Sequence, residues 1–180
     1  MNRLRTISKK TVFTHPWEKV FIEKVKTPKG VIFDYLLTKP NDFVVIVAFL
    51  DTHTILTMTQ YKHGAQKELL GFPAGYIQKK ESPIKAAARE LYEETGYRAK
   101  QMRIVATLSE NPTIRRNQFH VVFATGIKKD PMYRNNPDTS EGDLHIEKTT
   151  VRELTSHRIL KRMRAAPMLA AIPFILSQVK

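Results

Sequence analysis

The stretch from Gly75 to Tyr97 reads GYIQKKESPIKAAARELYEETGY, and the rest of the chain is best read outward from it. Ser82 is a good N-cap, and Pro83 suits the first helical position because its missing N–H would have no partner there anyway. Gly96 supplies the stop. The spacing therefore predicts a helix between Ser82 and Gly96. On it Glu90 and Glu94 stand one turn apart and Glu93 lies three residues from Glu90, so three carboxylates share one edge. Like charges so close are destabilising unless a cation sits between them, and oxygen-only ligands favour a hard ion such as Mg²⁺ or Mn²⁺. Arg89, four residues before Glu93, is placed to hold it by a bidentate contact. Glu81, at the loop-to-helix junction, can reach back toward the same edge. A solvated acidic face is the ordinary explanation for Glu-x-x-Glu-Glu alone. With Gly75, Glu81, Arg89 and Gly96 added, chance occurrence falls to a probability on the order of 10⁻⁷.

On the N-terminal side, Val20 to Val25 and Val31 to Leu36 read as strands around the turn Pro28-Lys29-Gly30. Phe43 to Leu50 is a continuous apolar run suited to a strand buried on both faces. Asp51-Thr52-His53 turns the chain into a further strand, Thr54 to Gln60, and a short strand follows Gly75. Beyond the helix, strands are expected at Arg103 to Leu108 and Gln118 to Thr125. Lys128 to Gly142 is a long polar loop, and Leu144 to Thr150 a short strand. One or two helices fill Arg152 to Lys180, with Pro173 expected to end or kink the last. Strands, one helix, strands, then helices define an α/β chain, a mixed sheet with helices packed on it.

The 180 residues suit one compact core, with 42% hydrophobic composition and no cysteine. Disulfides and cysteine-ligated zinc are excluded, and a cytoplasmic setting is expected. The apolar runs Phe43 to Leu50 and Met168 to Leu176 fall short of the ~20 residues that span a bilayer, so no membrane association is expected. Met1 to Lys10 is basic without an apolar stretch behind it, unlike a signal peptide. The net charge of +13 is a solvated surface or an attraction for phosphate-bearing substrates. Nucleic acid is a lesser possibility, because no aromatic residues interleave with the basic clusters.

Gly75 to Tyr97 is identified as a Nudix box, matching G-x5-E-x7-R-E-U-x-E-E-x-G-U everywhere but at the last position, where Tyr97 replaces an aliphatic residue. The resemblance implies a Nudix-type α/β/α sandwich. The flanks resemble the ADP-ribose and ADP-sugar pyrophosphatase branch: Gln60-Tyr61-Lys62 is similar to its Gln-Tyr-Arg, Phe72-Pro73-Ala74-Gly75 to its Leu-Pro-Ala-Gly, and Pro112 to its marker proline. Pro16-Trp17 with the Pro28-Lys29-Gly30 turn resembles its N-terminal hairpin, which dimers of the branch exchange. The division implied is a β extension over residues 1–40, serving dimerisation, and a hydrolase domain over 41–180. Gly71, Asn111-Pro112-Thr113 and Asn117 depart from the branch, which leaves other nucleoside diphosphate sugars open beside ADP-ribose.

The same resemblance implies pyrophosphate hydrolysis, with AMP and ribose 5-phosphate the products from ADP-ribose. Glu90 and Glu94 become direct metal ligands, Glu93 a ligand or water bridge, and the Ala74 carbonyl a further ligand. The general base is Glu141 in the late loop, with Asp143 and Glu147 behind it, or Glu93 itself. Arg115 and Arg116 are candidates for phosphate contact, Trp17 and Tyr61 for stacking on base or sugar. His63, His120 and His145 share no metal-ligand spacing. Competing expectations are a Nudix enzyme for nucleoside triphosphates or RNA 5′ ends, and a binding module that has lost its chemistry.

Overall fold

Three antiparallel strands begin the chain in the computed structural model, which describes residues 3–134 and 144–178. They are β1 (Arg5–His15), β2 (Glu18–Lys26) and β3 (Ile32–Pro40), with β2 in the middle. β2 alternates, burying Phe21, Glu23 and Val25 in turn, as a strand with one covered face must. Gly30 turns the β2–β3 hairpin at a positive φ of 88°, with its N–H donating to the Thr27 carbonyl at 3.0 Å. β1 is a correction. Its basic cluster reads as solvated chain, yet it pairs along the whole length of β2, with register shifts between Thr6 and Ser8 and between Thr11 and Phe13. Every residue of β1 stays exposed, which is why no burial alternation marks it in the sequence. These strands form one compact unit, Met1–Asp42 together with Leu108–Gln118.

The second unit holds Phe43–Thr107 and Phe119–Lys180. Its strands are β4 (Phe43–Ala48), β5 (Thr54–Lys62), β6 (Lys67–Gly71), β7 (Ala74–Tyr76), β8 (Tyr97–Arg98), β9 (Gln101–Ser109), β10 (Gln118–Thr125), β11 (Lys128–Lys129) and β12 (Leu144–Thr150). The central sheet runs β7-β4-β10-β9. β4 is parallel to β10 and antiparallel to β7, so the sheet is mixed. A second sheet, β12-β5-β6, is antiparallel. The expected polar loop starts as structure: Lys128 and Lys129 pair with Arg98 and Tyr97.

Helix α1 (Pro83–Thr95) forms where the caps place it. Ser82 Oγ accepts the Lys85 N–H at 3.3 Å, and Gly96 closes the helix at φ 72°. Its buried side, Ala86, Ala87 and Leu91, packs with Val44, Ile46, Ala48, Leu56, Val122 and Ala124. Val45 and Val47 alternate to the opposite face of β4 and are equally buried. The remaining helices are α2 (His157–Arg162) and α3 (Ala166–Leu176), and α3 packs against β4. With helices on a mixed sheet the class is α/β, as the order of elements implies. Pro173 does not end the last helix, which runs on to Leu176. Ala171, Ile172 and Ile175 are buried around it, and that packing offsets the cost of the missing backbone bond, about 3 kcal/mol. Among the described residues no helix is long and apolar enough to cross a membrane.

Candidate active site

The acidic edge of α1 is organised by a cation that the chain itself supplies. Arg89 donates from Nε and one terminal nitrogen to the two oxygens of Glu81, both at 3.0 Å. Its other terminal nitrogen reaches Glu90 at 2.7 Å and Glu93 at 3.1 Å. A last bond goes to the Tyr76 carbonyl at 3.0 Å. All the N–H groups of a guanidinium are thereby used, and none is left for a substrate. Arg89 is a positioning residue, and the expected fork onto Glu93 goes instead to Glu81, because Glu81 alone presents both oxygens to it. Hydrogen bonding to Glu81, against the opposing cost of burial, raises the Arg89 pKa above its already high value. The same pairing, with the Gln78 N–H, holds the Glu81 carboxyl below the usual carboxylate range.

Each remaining carboxylate has its own seat. Glu90 lies against Gly75 so closely that a Cβ there would come within 2.0 Å of its carboxyl carbon. The glycine at the head of the motif is needed for that approach. Glu94 is 8% exposed, and it accepts the Ala74 N–H at 3.0 Å. It is therefore the amide of Ala74 that the structure shows engaged. Glu93 is the open member of the set, with its side chain 53% exposed. Among the described residues no three His, Asp or Glu side chains are gathered as a finished metal cage. The Arg89 guanidinium bonds to Glu81, Glu90 and Glu93 and takes up part of their negative charge. The donors are nevertheless all oxygens, and Gly75 leaves Glu90 room on its backbone, which fits a hard divalent ion.

The other predicted residues divide between the two units. In the N-terminal unit Trp17 is 65% exposed, with its ring edge-on to His15. Pro112 sits in an exposed turn closed by the Arg115 N–H on the Asn111 carbonyl at 2.8 Å. Arg115 pairs with Glu110 at 2.9 Å and Arg116 with Glu23 at 2.9 Å. Both arginines thus have carboxylate partners, Arg115 a glutamate five residues before it in the same turn region and Arg116 one that lies 93 residues away. Asn117 is buried and donates to Glu110 at 2.9 Å. A carboxylate in its place would face Glu110 as a like charge, which accounts for the departure at that position.

In the second unit Tyr61 is exposed, edge-on to His63. His120 bonds Thr107 at 2.9 Å and His145 is exposed, so neither joins the carboxylates. Glu147 is unsuited to act as a base. Arg162 clasps it with both terminal nitrogens, at 2.9 and 2.5 Å, and Thr59 donates to it at 2.6 Å. The Arg162 contacts chiefly, against burial, hold its carboxyl below the ordinary range. Arg162 itself escaped the sequence reading, because its partner lies on a strand that only the fold brings near. Glu141 and Asp143 lie outside the described residues. A cavity of about 360 Å³ opens beside Phe49, Leu50, Arg103 and Phe123, and none of the α1 carboxylates lines it.

A mixed sheet carrying a glycine-headed loop and an acidic helix bound to its own arginine defines the class of a Nudix protein. The NUDIX domain matches residues 40–171, and the chain belongs to that family. Among curated relatives, the methanol dehydrogenase activator of Bacillus methanolicus is 28% identical over 125 residues, 69% of this chain and 68% of the relative. The ADP-ribose pyrophosphatase of Bacillus subtilis (strain 168) is 29% identical over 120 residues, covering 67% of this chain and 65% of that protein. The chain thus spans about two thirds of the length of these relatives. A solved structure described as an ADP compounds hydrolase superposes with a TM-score of 0.82 at 23% identity, over 99% of this chain and 94% of that one.

Proposed function

We propose that this protein is a metal-dependent Nudix pyrophosphatase that cleaves nucleoside diphosphate sugars, with ADP-ribose the first substrate and AMP and ribose 5-phosphate the products. The observation that carries the reading is the arrangement of the three α1 carboxylates. Glu90 is seated on Gly75, Glu94 on the Ala74 amide, and Glu93 is left open beside Arg89. The names of the similar pyrophosphatase and hydrolase support the substrate class.

Glu90 and Glu94 would hold the cation, Mg²⁺ or Mn²⁺, with Ala74 adding a backbone oxygen. When bound, such an ion neutralises charge on phosphate oxygens and lowers the pKa of water. Arg89 keeps Glu90 and Glu93 oriented while the substrate enters. Glu93 takes the proton of the attacking water as its oxygen bonds to phosphorus and the bridging phosphate oxygen leaves. Glu141 is the alternative base. Tyr61 in the second unit, and Trp17 and Pro112 in the N-terminal unit, are each read as candidates for contact with base or sugar. Arg115 and Arg116 are read as candidates for phosphate contact, which would require each to share its guanidinium with Glu110 or Glu23.

Residues 1–40 are read as a dimerisation extension. The sheet they form leaves Phe13, Ile32 and Leu36 more than half exposed, more apolar surface than an isolated sheet needs to show to water. A cysteine-free chain suits the reducing cytoplasm.

The test is AMP release from ADP-ribose by the purified protein with Mg²⁺, repeated with Glu93→Gln and with a chelator. Release that falls about a hundredfold or more in the variant supports the reading. No release from ADP-ribose, with turnover of a nucleoside triphosphate or triphosphorylated RNA, would overturn the substrate class.

A further inference from the structure

We propose that Met168, in the first turn of α3, is a positioning residue for the Glu94 carboxylate, acting through the segment Gly71–Ala74. The proposal rests on the acidic edge of α1 being the cation site argued above. The Phe72 N–H donates to Met168 Sδ at 3.4 Å. Phe72 is buried, and an N–H taken out of water needs an acceptor. Two residues on, the Ala74 N–H donates to Glu94 at 3.0 Å. Between them the Pro73 carbonyl accepts the Ile46 N–H at 2.8 Å. Three successive residues are therefore tied to α3, to β4 and to α1 in turn.

The small residue at position 71 leaves room for the first of these ties. A Cβ at that position would already lie 3.4 Å from both Cγ and Sδ of Met168. A methyl group is tolerated at that distance, whereas a longer side chain must push the sulfur away. The sulfur and the carboxylate also border one cavity of about 40 Å³, lined among others by Gly71, Phe72, Ala74, Glu94 and Met168. A volume of that size admits water, so loosening the segment would let solvent compete for the Ala74 N–H. Leucine fills the same space as methionine, but it offers no acceptor. That difference separates a positioning role from packing.

The experiment uses the full chain. Amide hydrogen exchange at Phe72 and Ala74 is measured without metal, and Mn²⁺ affinity is then measured by the paramagnetic resonance signal of the free ion. Met168→Leu should melt near the wild-type temperature, exchange faster at both amides, and weaken Mn²⁺ binding about two- to tenfold, the scale of one modest hydrogen bond. Gly71→Leu, which displaces the sulfur, should reproduce both changes, and Gly71→Ala should reproduce neither. Wild-type Mn²⁺ affinity and wild-type Ala74 exchange in Met168→Leu and Gly71→Leu would overturn the proposal, leaving Met168 a packing residue. A wild-type protein that binds no Mn²⁺ defeats the functional reading instead, and the metal-free exchange at Ala74 then decides the tether alone.

Discussion

Arg89 and Arg116 each hold a glutamate, one on the acidic helix and the other in the N-terminal unit. The two sites are built on opposite principles. Arg89 is tied to residues eight, one and four positions away. Glu93 is brought to it by helical spacing, Glu90 is its chain neighbour, and Glu81 folds back from the loop before α1. Arg116 reaches Glu23 across 93 residues, and Glu23 is buried by a β2–β3 hairpin whose register has nothing to do with arginine. Arg89 spends every donor and is mostly covered, with 22% of its side chain exposed. Arg116 keeps half of its side chain in water and lies over the Phe21 ring at 5.3 Å. The lesson is that the first is a geometric device, intolerant of change in shape, and the second a charge partner.

The sharpest way to break that comparison is lysine at each position. Arg89→Lys keeps the charge and loses the fork, so Glu81, Glu90 and Glu93 lose orientation together. We expect unfolding free energy to fall by about 3 kcal/mol, with loss of most activity. Arg116→Lys should cost under about 1 kcal/mol, since a half-exposed pair contributes little. Equal losses in chemical denaturation would end the distinction.

Two of the positive-φ glycines, Gly30 and Gly96, give the next effect. Gly30→Ala adds a Cβ no closer than 3.9 Å to any neighbour, so only its backbone strain is felt, roughly 1 kcal/mol. Gly96→Ala meets the Tyr133 ring at 2.5 Å as well, and should cost about 3 kcal/mol. Adding Tyr133→Ala to Gly96→Ala should make the second substitution cheaper than it is alone, and a thermodynamic cycle with no such coupling would refute the steric account.

Glu23→Gln keeps the shape of a buried side chain and discards its charge. It should destabilise by about 1–2 kcal/mol through the weakened bonds to Arg116 and Thr6, with turnover unchanged. A drop in turnover would show that Glu23 does more than stabilise its own unit.

The smallest effect is that of pH. Glu81 titrates in the folded chain below its ordinary value of 4.5, mainly through Arg89. Between those two values the unfolded chain binds more protons, so stability increases with pH across that interval. The contribution is complete above 4.5 and is lost as pH falls through the folded value. Urea midpoints followed down from neutral pH should decline less steeply in Glu81→Gln than in the wild type. Parallel declines would remove Glu81 from the account.

How much was legible follows the same division. Ser82, Pro83 and Gly96 marked both ends of α1 because caps act on adjacent residues, and the apolar run from Phe43 marked β4 because burial on both faces leaves no polar alternation. β1 was missed because its residues bury nothing in the chain. Pro173 does not end α3, because its local cost is offset by the burial of Ala171, Ile172 and Ile175, which is a tertiary fact. The carboxylates and the nearness of Arg89 to Glu93 were legible, but helical spacing does not show that Glu81 folds back to take the guanidinium fork.

By itself the sequence determined the helix, its acidic edge and the family, because these depend on contacts within a few residues and on exact spacing. Only the tertiary structure decided where each charge goes. It gave Glu147 to Arg162, Glu23 to Arg116 and Glu110 to Arg115, and it set Met168 against the backbone of Phe72 in the space Gly71 leaves. The physical reason is that a carboxylate's partner and pKa are fixed by what lies within a few ångströms of it, and for strands and loops those neighbours come from distant parts of the chain.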